Sequence, residues 1–444
     1  MYSQKVSEKL RGFGVLVGDR IKLAGREGIL MPKPEAGDPE CIVVKLDSGY
    51  NIGIMYEEGM SVEKLEGRAE LEKPAPTEVK FDEDKPLVSI LMTGGTIAAR
   101  VDYRTGGVVP AFTASDVVSA VPELARFAKL RCKSVMNVFS ENIRPEHYKY
   151  LAGAIASEIS DGAKGIVILH GTDTMHYTSA MLSFMLGKLP VPVVLVGAQR
   201  SSDRGSSDAA MNLICGVNFA ANADCSGVYV CMHGGLDDKD CHVHLGTRVR
   251  KMHTSRRDAF KSIDIKPVAK VNFESGEIVF AGSLPPKGGD PVDVASALEE
   301  KVAMLKIYPG ISHEQVSLFR ENGFKGVVLE GTGLGHMPCK GDGENGGENE
   351  LVFKEVKALC ESGCVVVMTS QCIYGDVNLN VYSTGRDLEG TGVISGHGML
   401  PETAYVKLMW LLGNVGAEKT RELMTKNIAG EIVERREISA DFES

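Results

Sequence analysis

The 444-residue sequence predicts an α/β protein of two parallel-sheet domains, each layered between helices (α/β/α), preceded by a small N-terminal β-barrel. Three observations carry that prediction. Short β segments punctuated by turn residues occupy the chain from Gly14 to about Glu58. Apolar strands alternate with amphipathic helical stretches from residue 87 onward, and the same alternation restarts past about residue 290.

In the first region "GVLVGDRIKL", "EGILMPKP" and "CIVVKLDSGYNIGI" read as strands, with apolar alternation at Ile42, Val44 and Leu46 and again at Ile52 and Ile54. Gly, Asp and Ser stand between them where tight hairpins need them, which predicts a five- or six-stranded barrel over residues 1–71. Residues 72–86, "EKPAPTEVKFDEDKP", hold three prolines and a dense run of charge, the composition of an extended linker.

Beyond the linker, "LVSILMTGG", "GIVILHGTDT", "VPVVLVGAQ" and "GVYVCMHGG" read as buried strands. Between the first two, "PEHYKYLAGAIASEIS" places Tyr148, Leu151, Ile155 and Ile159 on one helical stripe. This spans a larger α/β domain, residues 87–290. A smaller one, residues 291–444, follows from "VAMLKIYPG", "GVVLEGTGLG", "CVVVMTSQC" and a last helix "PETAYVKLMWLLG". The acidic, glycine-rich stretch 340–350, "KGDGENGGENE", is expected to be a surface loop. It fails the spacing of a calcium loop at Glu344 and Gly346.

The balance of charge limits function. A net charge of −10 and an isoelectric point near 5.6 argue against broad adhesion to nucleic acid by this chain alone. No apolar run approaches the roughly 18 residues of a membrane span, and "MYSQKVSEKLRGFG" lacks the pattern of a signal peptide, so a cytoplasmic address is expected. Ten cysteines with no CxxC fit reduced core thiols. Cys241, His242 and His244 have no second ligand pair at a plausible spacing, and no metal is expected.

The chemistry concentrates at strand ends, where open α/β sheets bind ligands. "MTGGTIA" sets Thr93 and Thr96 around Gly94 and Gly95, and "LHGTDTM" sets Thr172 and Asp173 after Gly171. Glycines permit a sharp turn and close approach, leaving the hydroxyls as nucleophile or donor, although Thr–Gly pairs also serve as helix caps. A hydroxyl nucleophile needs a proton acceptor. His170 follows the apolar "IVIL" and reads as a packed core imidazole, so Lys251 in "RVRKMHTS" is the other candidate. By spacing alone, a lysine near Arg248, Arg250, Arg256 and Arg257 is an ordinary solvated charge.

"TGGTIA", "HGTDTM", "VGAQR…SD…N" and "KMHTS", in this order and at these separations, resemble the bacterial-type L-asparaginase/glutaminase family over about residues 86–415. The resemblance implies amide hydrolysis with Thr96 as nucleophile and Thr172, Asp173 and Lys251 as the other catalytic residues. It implies that Ser140 and Glu141 of "NVFSENI", with Gly171, line the substrate site. The family's activating tyrosine has only an early counterpart in "ARVDYRTGGVVPA", Tyr103; Gly106 and Gly107 stand where simple alignment puts it.

The barrel and proline-rich linker ahead of "TGGTIA" are similar to the ammonia-supplying components of archaeal tRNA-dependent amidotransferases. That likeness implies a glutaminase with no cofactor of its own. It further implies a homodimeric core joined in a heterotetramer with a kinase/transamidase partner of E type. The partner would use ATP and Mg²⁺ and would carry most of the contact with Glu-tRNA(Gln). No GxxxxGK[ST] occurs in this chain, and "GTGLG" at 331–335 reads as a turn. A stand-alone L-asparaginase and a non-catalytic scaffold on the same fold are the competing readings.

Overall fold

The computed structural model describes residues 2–32, 38–46, 51–68, 82–94, 99–101, 108–110, 121–200, 207–289, 292–341 and 347–434. The N-terminal part is a five-stranded antiparallel sheet of β1 (Asp19–Leu23), β2 (Arg26–Leu30), β3 (Cys41–Leu46), β4 (Asn51–Met55) and β5 (Val62–Arg68), hydrogen-bonded in the order β4-β3-β2-β1-β5. Alternate residues Ile21, Leu23, Ile42 and Val44 point into its core, as period-two patterning requires. Two of its elements are not visible as apolar patterns. The sequence VEKLEGR of β5 is mostly charged, and the helix Gln4–Gly12 buries only Val6 and Leu10.

The large domain is built on eight strands in the order β17-β16-β13-β12-β11-β10-β6-β9. These are β6 (Leu87–Met92), β9 (Lys129–Ser134), β10 (Gly165–Leu169), β11 (Pro192–Val196), β12 (Gly227–His233), β13 (Asp240–Leu245), β16 (Ala269–Asn272) and β17 (Ile278–Phe280). Neighbours from β9 to β12 run parallel, and β13, β16 and β17 extend the sheet antiparallel. Two short antiparallel pairs flank it: β7 (Ala99–Val101) with β8 (Val108–Pro110), and β14 (Val249–Lys251) with β15 (Phe260–Ser262).

Because successive side chains alternate, each central strand serves two cores. Ile166 and Ile168 of β10 join a cluster with the helices Pro145–Ser160 and Met175–Met185, while Val167 and Leu169 face the helix Ala209–Asn222 on the other side. The striped helix buries Tyr148, Leu151 and Ile155, and Ile159 packs half-buried at its edge.

The second sheet is fully parallel, β18 (Val302–Lys306), β19 (Gly326–Gly331), β20 (Val365–Ser370) and β21 (Ile394–Ser395). It does not own a separate core on both faces. Val328, Val365 and Val367 reach the same apolar cluster as Ile166 and Ile168, through the long helix Pro401–Leu423 lying between the two sheets. The tryptophan of that helix, Trp410, stacks on Phe184 at 5.7 Å and donates to the Ala295 carbonyl.

The acidic stretch expected as a loop is partly helical, since Gly347–Glu350 open the helix Gly347–Glu361, where two glutamates in the first turn suit the helix dipole. The expected linker 72–86 lies outside the described residues as far as residue 81. No described helix is long and apolar enough to cross a membrane.

Candidate active site

Strands β6, β10 and β11 stop level with one another, Met92 opposite Leu169 and Leu169 opposite Val196, so their following loops open on one edge of the sheet. The first loop begins with Thr93, which the sequence offered as a candidate hydroxyl. It is instead a tie: the side chain is 1% exposed, and its Oγ1 donates to the Leu169 carbonyl at 2.9 Å. Gly94 follows at φ +113°, and a Cβ there would lie 2.6 Å from the Val138 carbonyl oxygen. Only glycine permits that left-handed turn and approach together. Thr96 and Tyr103 lie outside the described residues.

The second loop carries the group that the structure assembles. Lys251, at the end of β14, donates from Nζ to Thr172 Oγ1 at 2.9 Å and to Asp173 Oδ1 at 2.7 Å. The lysine side chain is 11% exposed whereas the Asp173 carboxylate is 66% exposed, so the cation is sheltered and its partner opens to solvent. The solvated lysine that spacing alone suggested is thus a nearly buried one. Of the neighbouring arginines, Arg256 stays exposed, but Arg248 departs from that picture too. Arg248 is wholly buried, donating to the carbonyls of Ile263, Gly398 and Glu431 and pairing with Asp264 at 2.9 Å.

Ser140 is brought to the same place. It opens the short 3₁₀ turn Ser140–Asn142 and is 4% exposed, and its carbonyl accepts from Thr174 Oγ1 at 2.6 Å. A Cβ on Gly171 would sit 2.8 Å from both Cβ and Oγ of Ser140, so Gly171 is what lets the serine press against the Thr172 loop. Glu141 is exposed on the same turn, and no described contact ties it to Lys251 or Asp173.

Behind these groups the imidazoles are structural. His170 donates from Nδ1 to the Gly171 carbonyl at 2.6 Å, and its Nε2 pairs with Thr178 Oγ1 at 2.9 Å. Burial holds its pKa down at about 4. His176 is held down at about 3 by burial, with Arg250 and Lys251 repelling a proton as well, and buried His244 is likewise at about 3. His242 and His244 share one face of β13, whereas Cys241 turns to the opposite core, which separates the three groups that together would resemble a metal site.

These depressed values carry a pH consequence. Below the ordinary histidine pKa of about 6.5 the unfolded chain takes up protons that the folded chain refuses, so stability falls as pH drops through that value toward 4. At pH 5 each such imidazole costs up to about 2 kcal/mol. The urea midpoint at pH 5 is therefore expected well below that at pH 7; equal midpoints would contradict the assigned burial.

A second network, not legible in the spacing, fixes the loop after β11. The buried Asp208 accepts from the backbone N–H groups of Gln199 and Arg200 and from Asn212 Nδ2, and Asn212 also donates to the Gly197 carbonyl. Asn212 Oδ1 meets His233 Nδ1 at 2.6 Å, and His233 Nε2 lies 3.4 Å from Asp238, which also pairs with Arg257. The only sequence signal for this chain of contacts was the polar "SD…N" at the start of an apolar helix.

Family comparison agrees with the arrangement. Residues 87–285 match the model "Asparaginase, N-terminal", residues 301–424 match "Glutaminase/Asparaginase C-terminal domain", and residues 15–65 match "GatD N-terminal domain". The D-type component of the glutamyl-tRNA(Gln) amidotransferase of Methanobrevibacter smithii is 46% identical over 442 residues, spanning 98% of each chain. This chain belongs to the GatD family of glutamyl-tRNA(Gln) amidotransferases. The corresponding D-type chain of Pyrococcus abyssi is 49% identical over 444 residues, covering 96% of this chain and 97% of that one.

Among solved structures, the thermostable L-asparaginase from Thermococcus kodakarensis superposes with a TM-score of 0.68 at 33% identity, over 78% of this GatD-family chain and 99% of that enzyme. L-asparaginase I from Vibrio cholerae gives 0.67 at 28% identity, over 79% and 99%. Those enzymes thus match the two α/β domains in extent, and the N-terminal sheet is what the GatD family adds.

Proposed function

We propose that this chain hydrolyses glutamine to supply ammonia for converting Glu-tRNA(Gln) to Gln-tRNA(Gln) on a partner protein. The observation that carries the reading is the convergence of Thr172, Asp173 and Lys251, the last from a segment 78 residues beyond Asp173, at the open edge of the sheet. In this scheme the exposed Asp173 carboxylate holds the α-ammonium of glutamine. Ser140, with Glu141 beside it, receives the α-carboxylate and amine, Gly171 gives them room, and Tyr103 is the residue that the family resemblance assigns to the substrate.

Thr96 Oγ attacks the side-chain amide carbon, its proton passing by way of the Thr172 hydroxyl to Lys251 in its free-amine form, and the tetrahedral oxyanion is held by backbone N–H groups of the glycine-rich turns. Such donors contribute about 2.7–4 kcal/mol each in comparable sites. The leaving amide nitrogen takes that proton back from the same pair as collapse expels it as ammonia, and water then hydrolyses the Thr96 ester to glutamate.

The partner is a kinase/transamidase of E type that brings ATP and Mg²⁺ and most of the tRNA contact. The assembly is a heterotetramer around a homodimer of this chain, at a cytoplasmic address. The amidotransferase relatives support the tRNA-linked reaction, and the acidic charge of this chain agrees with RNA contact lying mainly elsewhere.

The test is ammonia release from glutamine and from asparagine by the purified chain, with and without the co-purified partner and Glu-tRNA(Gln). Slow glutamine turnover that rises when both are added is expected. High asparagine turnover indifferent to both would favour the stand-alone L-asparaginase, the activity named for the solved neighbours. Pocket length alone separates the two amides by only about 1–3 kcal/mol, so the response to the partner decides more than the substrate ratio.

A further inference from the structure

We propose that Glu402, in the first turn of the last helix, is a positioning residue for Lys251 and acts through Arg250. Strand β14 is three residues long and, among the described residues, pairs only with β15, Lys251 opposite Phe260. A two-stranded ribbon this short is marginal by itself, so its side-chain anchors decide where its end points. Alternation gives it two faces. Val249 is buried in the core shared by the two domains, and Lys251, on the same face, reaches Thr172 and Asp173.

Arg248 and Arg250 take the other face, and each bonds across to the smaller domain. Arg248 bonds the carbonyls of Gly398 and Glu431. Arg250 pairs with Glu402 Oε1 at 2.7 Å, its one ion pair among the described residues. It is also the last such anchor before the chain leaves at exposed Met252 and His253. The catalytic-site lysine of one domain is thereby seated by a carboxylate of the other.

The electrostatics make the seat more than a tether. Glu402 is 6% exposed, and its second oxygen, Oε2, is buried with no hydrogen-bond partner among the described residues, so its charge depends on Arg250. Arg250 is a second cation one residue from Lys251, and both act on the buried His176 ring beside them. Tyr177 and Glu330 face the same pair, both held above their usual ranges chiefly by burial, with Lys306 acting on Glu330. Neutralising Glu402 would leave the Arg250 charge uncompensated next to the lysine that must exchange protons.

The proposal rests on the reading of Lys251 as the proton-carrying group, and the experiment separates the two. Glu402→Gln keeps the shape and removes the charge. Its kcat for glutamine hydrolysis by the complex is expected to fall about tenfold with KM within about twofold, since an interaction felt in the chemical step lowers kcat rather than uniform binding. Arg250→Gln placed in the Glu402→Gln background restores a neutral hydrogen-bonded pair and is expected to recover most of that loss, a coupling that an independent structural defect would not produce.

An unchanged kcat in folded Glu402→Gln, or a double variant that adds the two single losses, overturns the proposal. If Glu402→Gln does not accumulate folded, Arg250→Lys keeps the charge and shortens the reach. A fall of about threefold in its kcat at constant KM supports the coupling, and no fall overturns it. Lys251→Met is the control: loss of hydrolysis there with a normal Glu402→Gln rejects the positioning role alone, whereas retained hydrolysis rejects the reading of the site.

Discussion

Lys251→Met is expected to lower kcat for glutamine hydrolysis by about 10²–10⁴-fold, the range a positioned acid–base group contributes. Methionine keeps the apolar stem and removes the ammonium that bridges Thr172 at 2.9 Å and Asp173 at 2.7 Å. The fold has little reason to suffer. Asp173 is 66% exposed and passes its carboxylate to water, so the lost pair costs under about 1 kcal/mol. Steady-state ammonia release and a urea midpoint, measured on the same preparation, separate chemistry from folding. Activity within about threefold of the wild type would remove Lys251 from the mechanism.

Arg248→Met is expected to show the opposite pattern, a loss of stability in a side chain that touches no substrate. The guanidinium is fully buried, donates to three carbonyls and pairs with Asp264, itself 5% exposed. Removing one partner of a buried pair costs about 3–5 kcal/mol, because the carboxylate and the carbonyls it served lose a charged donor in a medium that cannot solvate them. Gly398 and Glu431 belong to the approach to the last helix and to the segment after it, so the damage falls on the contact between the two α/β domains.

The chain's one tryptophan reports on that contact, since Trp410 stacks against Phe184 across the shared core. A chain of this size need not unfold in two states, so the readout is the midpoint of the first fluorescence transition rather than an extrapolated free energy. A clear fall is expected for Arg248→Met. Lys419→Met, which breaks a pair whose members are 52% and 56% exposed, is expected to leave that midpoint unchanged. Equal behaviour of the two variants would contradict the role given to the buried arginine.

What could be read from residues alone was whatever depends on local periodicity. The runs GIVIL and PVVLV, and LVSILM apart from Ser89, are buried on both faces and therefore almost continuously apolar, which marks strands of a covered parallel sheet without any knowledge of their order. The stripe of Tyr148, Leu151 and Ile155 marks its helix for the same reason. The charged strand Val62–Arg68 and the helix Gln4–Gly12 escaped because each buries too few side chains to leave a pattern. Thr172 and Asp173 were legible as polar groups at a strand end, whereas Lys251 was legible only through the resemblance of its motif, because spacing favoured a solvated lysine.

The tertiary structure alone decided charge placement. Arg248, Arg250 and Lys251 are three cations within four positions, and sequence treats them alike. Strand alternation and burial send one into a carbonyl cage, one to a carboxylate of the second domain and one to the open edge of the sheet. Thr93 and Thr172 are likewise the same residue after an apolar strand, yet one hydroxyl is spent on a backbone carbonyl and the other faces a lysine. Local pattern determines which elements form; only packing between distant segments sets the dielectric and the partner that each polar group meets, and those two quantities decide what it can do.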